Sequence, residues 1–335
     1  MKSLLALLLL STAAGAETLP GFDHLAVDAP HRPRPLEAAI WYPAASETYT
    51  VPLGANPAFA GTQVQVGPAI ATGAHPLVVI SHGSGGNIEN LGWLAEGLVA
   101  RGAIVAGVNH PGATSGDSSP RQLPMVIDRT RDLAALVAAV RADPAFGPAT
   151  DAGNVTALGF SLGGATVLAA GGARFDAAAY AAYCDRFAED APDCLFMAKG
   201  GVDPHALPPE WEADMRIGGL ARIVAVDPAY GYAVTGDSIP RLPPVHFVTL
   251  GGAEHVWQAV DIGPGGSDLV SRVPGASRTV IDPAWHFSFL GLCTAEGPAL
   301  LEAEGEDPIC DDPAGSDRAA VHARIVEDIA AVLGL

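Results

Sequence analysis

The sequence predicts an α/β protein built on a mostly parallel central sheet flanked by helices. Three observations predict it. Short, continuously apolar runs bounded by turn signals recur along the chain, at residues 76–82, 103–109, 154–160 and 221–227. Such runs suit strands buried on both faces. Segments with helical periodicity alternate with them, the order that produces parallel strands joined by crossover helices. The chain also carries 39 glycines and 28 prolines, which argues against a long helical bundle.

The elements follow in order. Residues 23–29 and 36–43 are short apolar runs with proline-rich breaks, read as an antiparallel start. Residues 44–75, rich in Pro, Gly, Ala and Thr, read as loop. The strand at 76–82 is followed by a helix over 87–101, a strand at 103–109 and a helix over 126–141. That helix carries Leu133, Leu136, Val137 and Val140 on one face. The strand at 154–160 leads at once into a small-residue helix from Ser161 to about Ala170. Residues 173–215 break the alternation and read as a cap-like helical insertion. Strands resume at 221–227, 245–252 and 278–282, and an amphipathic helix over 318–335 closes the chain. No internal repeat or Ser/Gly-rich linker divides it, so residues 17–335 are expected to form one domain.

Composition and the N-terminus bound the function. Lys plus Arg total 18 against 37 Asp plus Glu, a formal net charge of −19. That charge argues against nucleic acid as a partner and against docking on anionic membranes. Lys2, the apolar run Leu4 to Leu10 and the small-residue site Ala14-Gly15-Ala16 together predict a signal peptide over residues 1–16. The run is too short to span a bilayer, and no later stretch is long and apolar enough, so no stable membrane insertion is expected. The protein is expected to be exported, to a periplasm or beyond. Four cysteines allow three connectivities. The sequential pairing, Cys184 with Cys194 and Cys293 with Cys310, closes two short loops and is the one expected in an oxidising compartment. Their spacing fits no zinc site. The acidic stretch from Glu302 to Asp317 lacks the ligand spacing of a calcium loop, so no metal is expected.

The residues that carry chemistry centre on Gly159-Phe160-Ser161-Leu162-Gly163, which fits G-x-S-x-G. In that pattern small residues let the chain turn sharply from strand to helix. The turn lifts the serine hydroxyl clear and turns the next amide, that of Leu162, toward a developing oxyanion. The pattern alone is weak in so glycine-rich a chain; the strand before it and the helix after it supply the context it requires. A second element, Ser81-His82-Gly83-Ser84-Gly85-Gly86, ends an earlier strand and offers the Ser84 amide as a second oxyanion donor. It matches no nucleotide-binding glycine loop. His82 reads as a structural histidine of that loop. A base and an acid are expected after the serine in chain order. His286 follows the last strand, where an imidazole can reach over the strand ends; His255 is second. Asp227 and Glu254 each end a strand, and Asp261 and Asp282 are further acids.

Taken together, the chain resembles α/β-hydrolases of the dienelactone hydrolase-like group, especially its platelet-activating-factor acetylhydrolase-like branch. The resemblance rests on Ser81-His82-Gly83, on Gly159 to Thr166, on Ala225-Val226-Asp227-Pro228 and on His286-Phe287-Ser288-Phe289-Leu290. It implies Asp227 as the acid, with Glu254 as alternative, and Ser84 and Leu162 as oxyanion donors. It further implies a hydrolase of small-molecule carboxylic esters, of short-chain acyl or lactone type, working without a cofactor. A thioesterase or peptidase on the same fold, or a binding protein that retains the fold without catalysis, are the alternatives.

Overall fold

The computed structural model describes residues 18–335; the signal peptide expected over residues 1–16 lies outside them. The chain opens with β1 (Gly21–Val27), β2 (Leu36–Tyr42), β3 (Thr50–Leu53), β4 (Thr62–Val66), β5 (His75–Ser81), α1 (Gly92–Val99) and β6 (Ile104–Val108). A small hairpin follows, β7 (Ala113–Thr114) with β8 (Asp117–Ser118), then α2 (Val126–Ala142), α3 (Phe146–Ala149), β9 (Thr150–Phe160) and α4 (Leu162–Gly171). Next come α5 (Ala177–Phe187), α6 (Pro192–Lys199), β10 (Arg222–Val226), β11 (Val245–Leu250), α7 (Leu269–Arg272) and β12 (Ser277–Ile281). The chain closes with α8 (Gly297–Glu304) and α9 (Arg318–Leu333).

Ten of these strands form one sheet in the order β12-β11-β10-β9-β5-β6-β2-β1-β4-β3. From β12 to β6 every neighbour is parallel. The pairs β6–β2, β2–β1 and β4–β3 are antiparallel. Alternating residues of each strand face opposite layers, as the two-residue strand repeat dictates. On β5, Leu77 and Val79 join a core covered by α2 and α4, while Val78 and Ile80 join one covered by α1 and α9. Strand β9 is central, and all of Val155–Phe160 is buried. The chain passes from β5 toward β6 and from β9 toward β10, in opposite directions. The crevice between the ends of β5 and β9 is therefore the switch point where open α/β sheets bind ligands.

Several expectations are corrected. The stretch 44–75 is not all loop, since it holds β3 and β4. β3 is the edge strand and β4 lies beside it, so Pro52 removes no interior ladder bond and half-exposed residues leave no apolar run to read. The helix expected over 87–101 is a 3-10 turn, Glu89–Leu91, followed by α1. The helix expected from Ser161 starts at Leu162, and the strand expected from residue 154 begins at Thr150. Residues 173–215 carry α5, α6 and short 3-10 turns. Tyr180 and Trp211 from this insertion are fully buried in the same core as α2 and α4, so it enlarges the main core instead of forming a second one.

Candidate active site

The turn after β9 is built by exclusion. A Cβ on Gly159 would lie 2.0 Å from the Gly163 carbonyl oxygen, and one on Gly163 would lie 1.9 Å from that of Ser81. No side chain fits either place. Ser161 between them takes φ 55° and ψ −118°, a costly conformation for a residue with a side chain. Neighbours hold it there. Its N–H donates to the Val226 carbonyl (3.0 Å), and its carbonyl accepts from Ala229 N–H (3.0 Å) and Ala165 N–H (3.1 Å).

Asp227 follows β10 and is fully buried, with φ 41°. One carboxylate oxygen accepts the Leu250 N–H at 2.9 Å. The other lies 3.0 Å from His286 Nδ1. Burial pushes this carboxyl above its ordinary range; the bond to His286 and the Leu250 amide pull it the other way. His286 begins a 3-10 turn, His286–Phe289, after β12. Its Nε2 is 3.1 Å from Ser161 Oγ. A carboxylate only accepts, so Nδ1 carries the proton and Nε2 is free to accept the serine hydroxyl. The imidazole packs between Phe160 (centroids 4.6 Å apart) and Trp257 (4.9 Å).

The two residues expected to supply oxyanion-binding amides line the same region. Leu162 opens α4, so its N–H has no partner within the helix. Ser84 lies in the loop after β5, which the hairpin clasps. Gly85 N–H donates to Ala113, Ser115 N–H donates to Gly86 (2.9 Å each), and Thr114 Oγ1 also reaches the Gly86 carbonyl. Ser84, Leu162, Ser161 and His286 all line one cleft of about 670 Å³. Aromatic rings of Phe59, Phe196, Tyr230, Trp257 and Phe287 line it as well. So do the acids Asp193, Glu304, Glu306 and Asp307; its described lining contains no lysine or arginine. Among the described residues no group of three or more His, Cys, Asp or Glu is placed to hold a metal ion.

No family model and no curated protein matches the sequence. Solved structures do match the fold. A ferulic acid esterase from Streptomyces cinnamoneus superposes with a TM-score of 0.59 at 18% identity, over 96% of this chain and 91% of that one. A dienelactone hydrolase-like promiscuous phosphotriesterase from metagenomic libraries superposes at 0.51 and 15% identity, over 95% of this chain and 98% of that one. The chain has the α/β-hydrolase fold. A puromycin-hydrolyzing peptidase from Mycobacterium tuberculosis also matches, at 0.51 and 16% identity, over 94% of this chain but 39% of that longer one.

Within this fold, Ser161 and Asp227 directly follow β9 and β10, and His286 reaches them from the turn after β12. The other candidates are elsewhere. Glu254 is exposed, and His255, also exposed, faces Asp282 at 3.8 Å. Asp261 accepts the Gly263 amide, and Asp282 that of Gly252. His246 bridges Ser277 and Asp328, and His322 bonds the Ser288 and Leu290 carbonyls. His82 is buried, bonded to the Gly83 carbonyl (2.7 Å) and to the His110 N–H (3.1 Å). Both disulfides join the expected cysteines, Cys184–Cys194 and Cys293–Cys310. Sequence reasoning missed Trp257 against the imidazole, because nothing in the local pattern marks it. It also missed a buried polar network formed by Arg129, Asp132 and His110. A signal existed for that one: Arg129 and Asp132 continue the apolar stripe of α2 one turn before Leu133 and Leu136.

Proposed function

We propose that the protein is an exported serine hydrolase of carboxylic esters, of short-chain acyl or lactone type. The chain of bonds from Asp227 through His286 to Ser161 carries the reading. Ser161 attacks the ester carbonyl while His286 takes its proton. Asp227 holds the imidazole in the required tautomer and stabilises the imidazolium. The Leu162 and Ser84 amides bind the oxyanion. His286 then returns the proton to the leaving alcohol, and water repeats the sequence on the acyl-enzyme. The ferulic acid esterase among the similar structures favours ester chemistry. Export is supported by the leader expected at the N-terminus and by the two disulfides.

The decisive experiment is intact mass after exposure to a fluorophosphonate. Wild type should gain one adduct and Ser161→Ala none. A folded wild type that gains no adduct overturns the assignment and favours a binding protein. A second reading, amide or thioester cleavage by the same residues, is favoured by the peptidase among the similar structures. Matched ester, thioester and amide substrates with one acyl group separate the two.

A further inference from the structure

We propose that Arg129 is a positioning residue, which ties the loop that bears the Ser84 amide to the start of α4 that bears the Leu162 amide and so fixes the spacing of the oxyanion-binding pair. The inference rests on the serine-hydrolase reading above. Arg129 stands on α2 and is 2% exposed. Its Nη2 donates to Ser81 Oγ (3.1 Å) and to the His82 carbonyl. Its Nε donates to Thr166 Oγ1 (3.0 Å), and that hydroxyl donates onward to the Leu162 carbonyl (2.8 Å). One planar guanidinium thus grips the peptide two residues before Ser84 and, through Thr166, the first turn of α4. The fork is rigid, so the separation of its acceptors is fixed in a way a lysine ammonium cannot reproduce.

The support beneath it is also bonded. Asp132, one turn further along α2, bonds His110 Nδ1 (2.8 Å), His31 Nε2 (2.7 Å) and the Arg32 guanidinium (2.8 and 2.7 Å). Burial pushes its carboxyl up, but these partners outweigh burial and hold it below the ordinary range. His110 closes the circuit at Ser81 Oγ (3.0 Å) and, through its amide, at the His82 ring.

Stability alone does not explain this arrangement. Burying a guanidinium is costly, and Arg129 Nη1 finds no hydrogen-bond partner among the described residues. Burial lowers the group to about 9, which leaves it charged at neutral pH. A methionine would fill similar space without that penalty. What it would lack is a simultaneous hold on the His82 carbonyl and Thr166.

The test compares Arg129→Met, Arg129→Lys and Thr166→Val with wild type and Ser161→Ala. The readouts are kcat and KM for phenyl acetate and inhibition by an aryl trifluoromethyl ketone, whose serine adduct carries an oxyanion. In Arg129→Met, kcat should fall about 100-fold with KM within about threefold. Ketone affinity should weaken in parallel with kcat/KM. Arg129→Lys should recover less than about tenfold, and Thr166→Val should lose about tenfold in kcat. A folded Arg129→Met or Thr166→Val with wild-type kcat, or a loss confined to KM, overturns the proposal. If Arg129→Met does not fold, Thr166→Val carries the test alone. Turnover by Ser161→Ala would instead sink the underlying hydrolase reading, so the two failures are distinguishable.

Discussion

Asp227 and Glu254 both read as strand-end acids in the sequence, but Asp227 directly follows β10 while Glu254 sits in the turn beyond β11. The carboxylate of Asp227 is buried against His286 and the Leu250 amide, whereas Glu254 is exposed. Asp227→Asn should therefore lower kcat by roughly 10³ to 10⁴-fold, because an amide no longer holds the imidazole with Nε2 unprotonated. Glu254→Gln should leave kcat unchanged. Steady-state kinetics on both variants check the pair, and the reverse result would reassign the acid. Ser161 and His286 were legible because a motif and a strand end mark them. Trp257 and Phe160, which sandwich the imidazole, were not. Their roles arise from tertiary packing, and an aromatic residue carries no sign in sequence of which ring it will meet. Arg129 was hidden for the opposite reason, since a charge on an apolar stripe reads as a solvated flank until its partners are seen.

Elements were legible in proportion to their burial. The central strands β5, β6, β9, β10 and β11 read as apolar runs because both faces are covered. Strands β3 and β4 escaped because the edge leaves them partly exposed. The β9–α4 turn makes its own prediction. In Gly163→Ala the new methyl meets backbone at 1.9 Å, so a strand end must move and the loss should reach at least ~3 kcal/mol. Urea unfolding measures it, and a wild-type midpoint would refute the packing argument. Helix α9 docks on α1 through His322, which stacks on Trp93 with centroids 3.7 Å apart. Burial lowers His322 to about 4, and His110 likewise to about 4. Both stay neutral in the folded state while the unfolded chain protonates them near 6.5. The unfolded state thus binds more protons between these values, and stability falls as pH drops from about 6.5 to about 4. For His322 this amounts to on the order of 3 kcal/mol over that window. His322→Gln keeps an amide donor for the Ser288 and Leu290 carbonyls but does not titrate. Its melting temperature should decline less steeply with acid; an unchanged slope would exclude His322 as a source.

For the whole molecule, the fold class was readable from the alternation of runs, while the strand order and the shape of the cleft were not. Its walls come from segments with weak periodicity. Pro192, Asp193 and Phe196 of the insertion line it, as do Leu301, Glu304, Glu306, Asp307 and Ile309 within the segment closed by Cys293–Cys310. The Cys184–Cys194 disulfide ends at the first of these walls. Replacing either cysteine pair by serine should cost about 3 kcal/mol, since each bridge closes a short loop. On the proposed function it should also raise KM more than it lowers kcat, because the walls would then bind substrate while Ser161, His286 and Asp227 do the chemistry. Thermal melts and kinetics of the two double variants check both statements, and an unaltered KM would separate the walls from binding. The acids at these walls bear on the end of the reaction. On the proposed ester chemistry, hydrolysis turns a neutral ester into an anion inside a cleft whose described lining holds Asp193, Glu304, Glu306 and Asp307 but no lysine or arginine. The carboxylate product is thus repelled as soon as it forms, and salt weakens that repulsion. The acid should inhibit poorly at low ionic strength and better as salt is added, which gives the reaction an outward drive at product release.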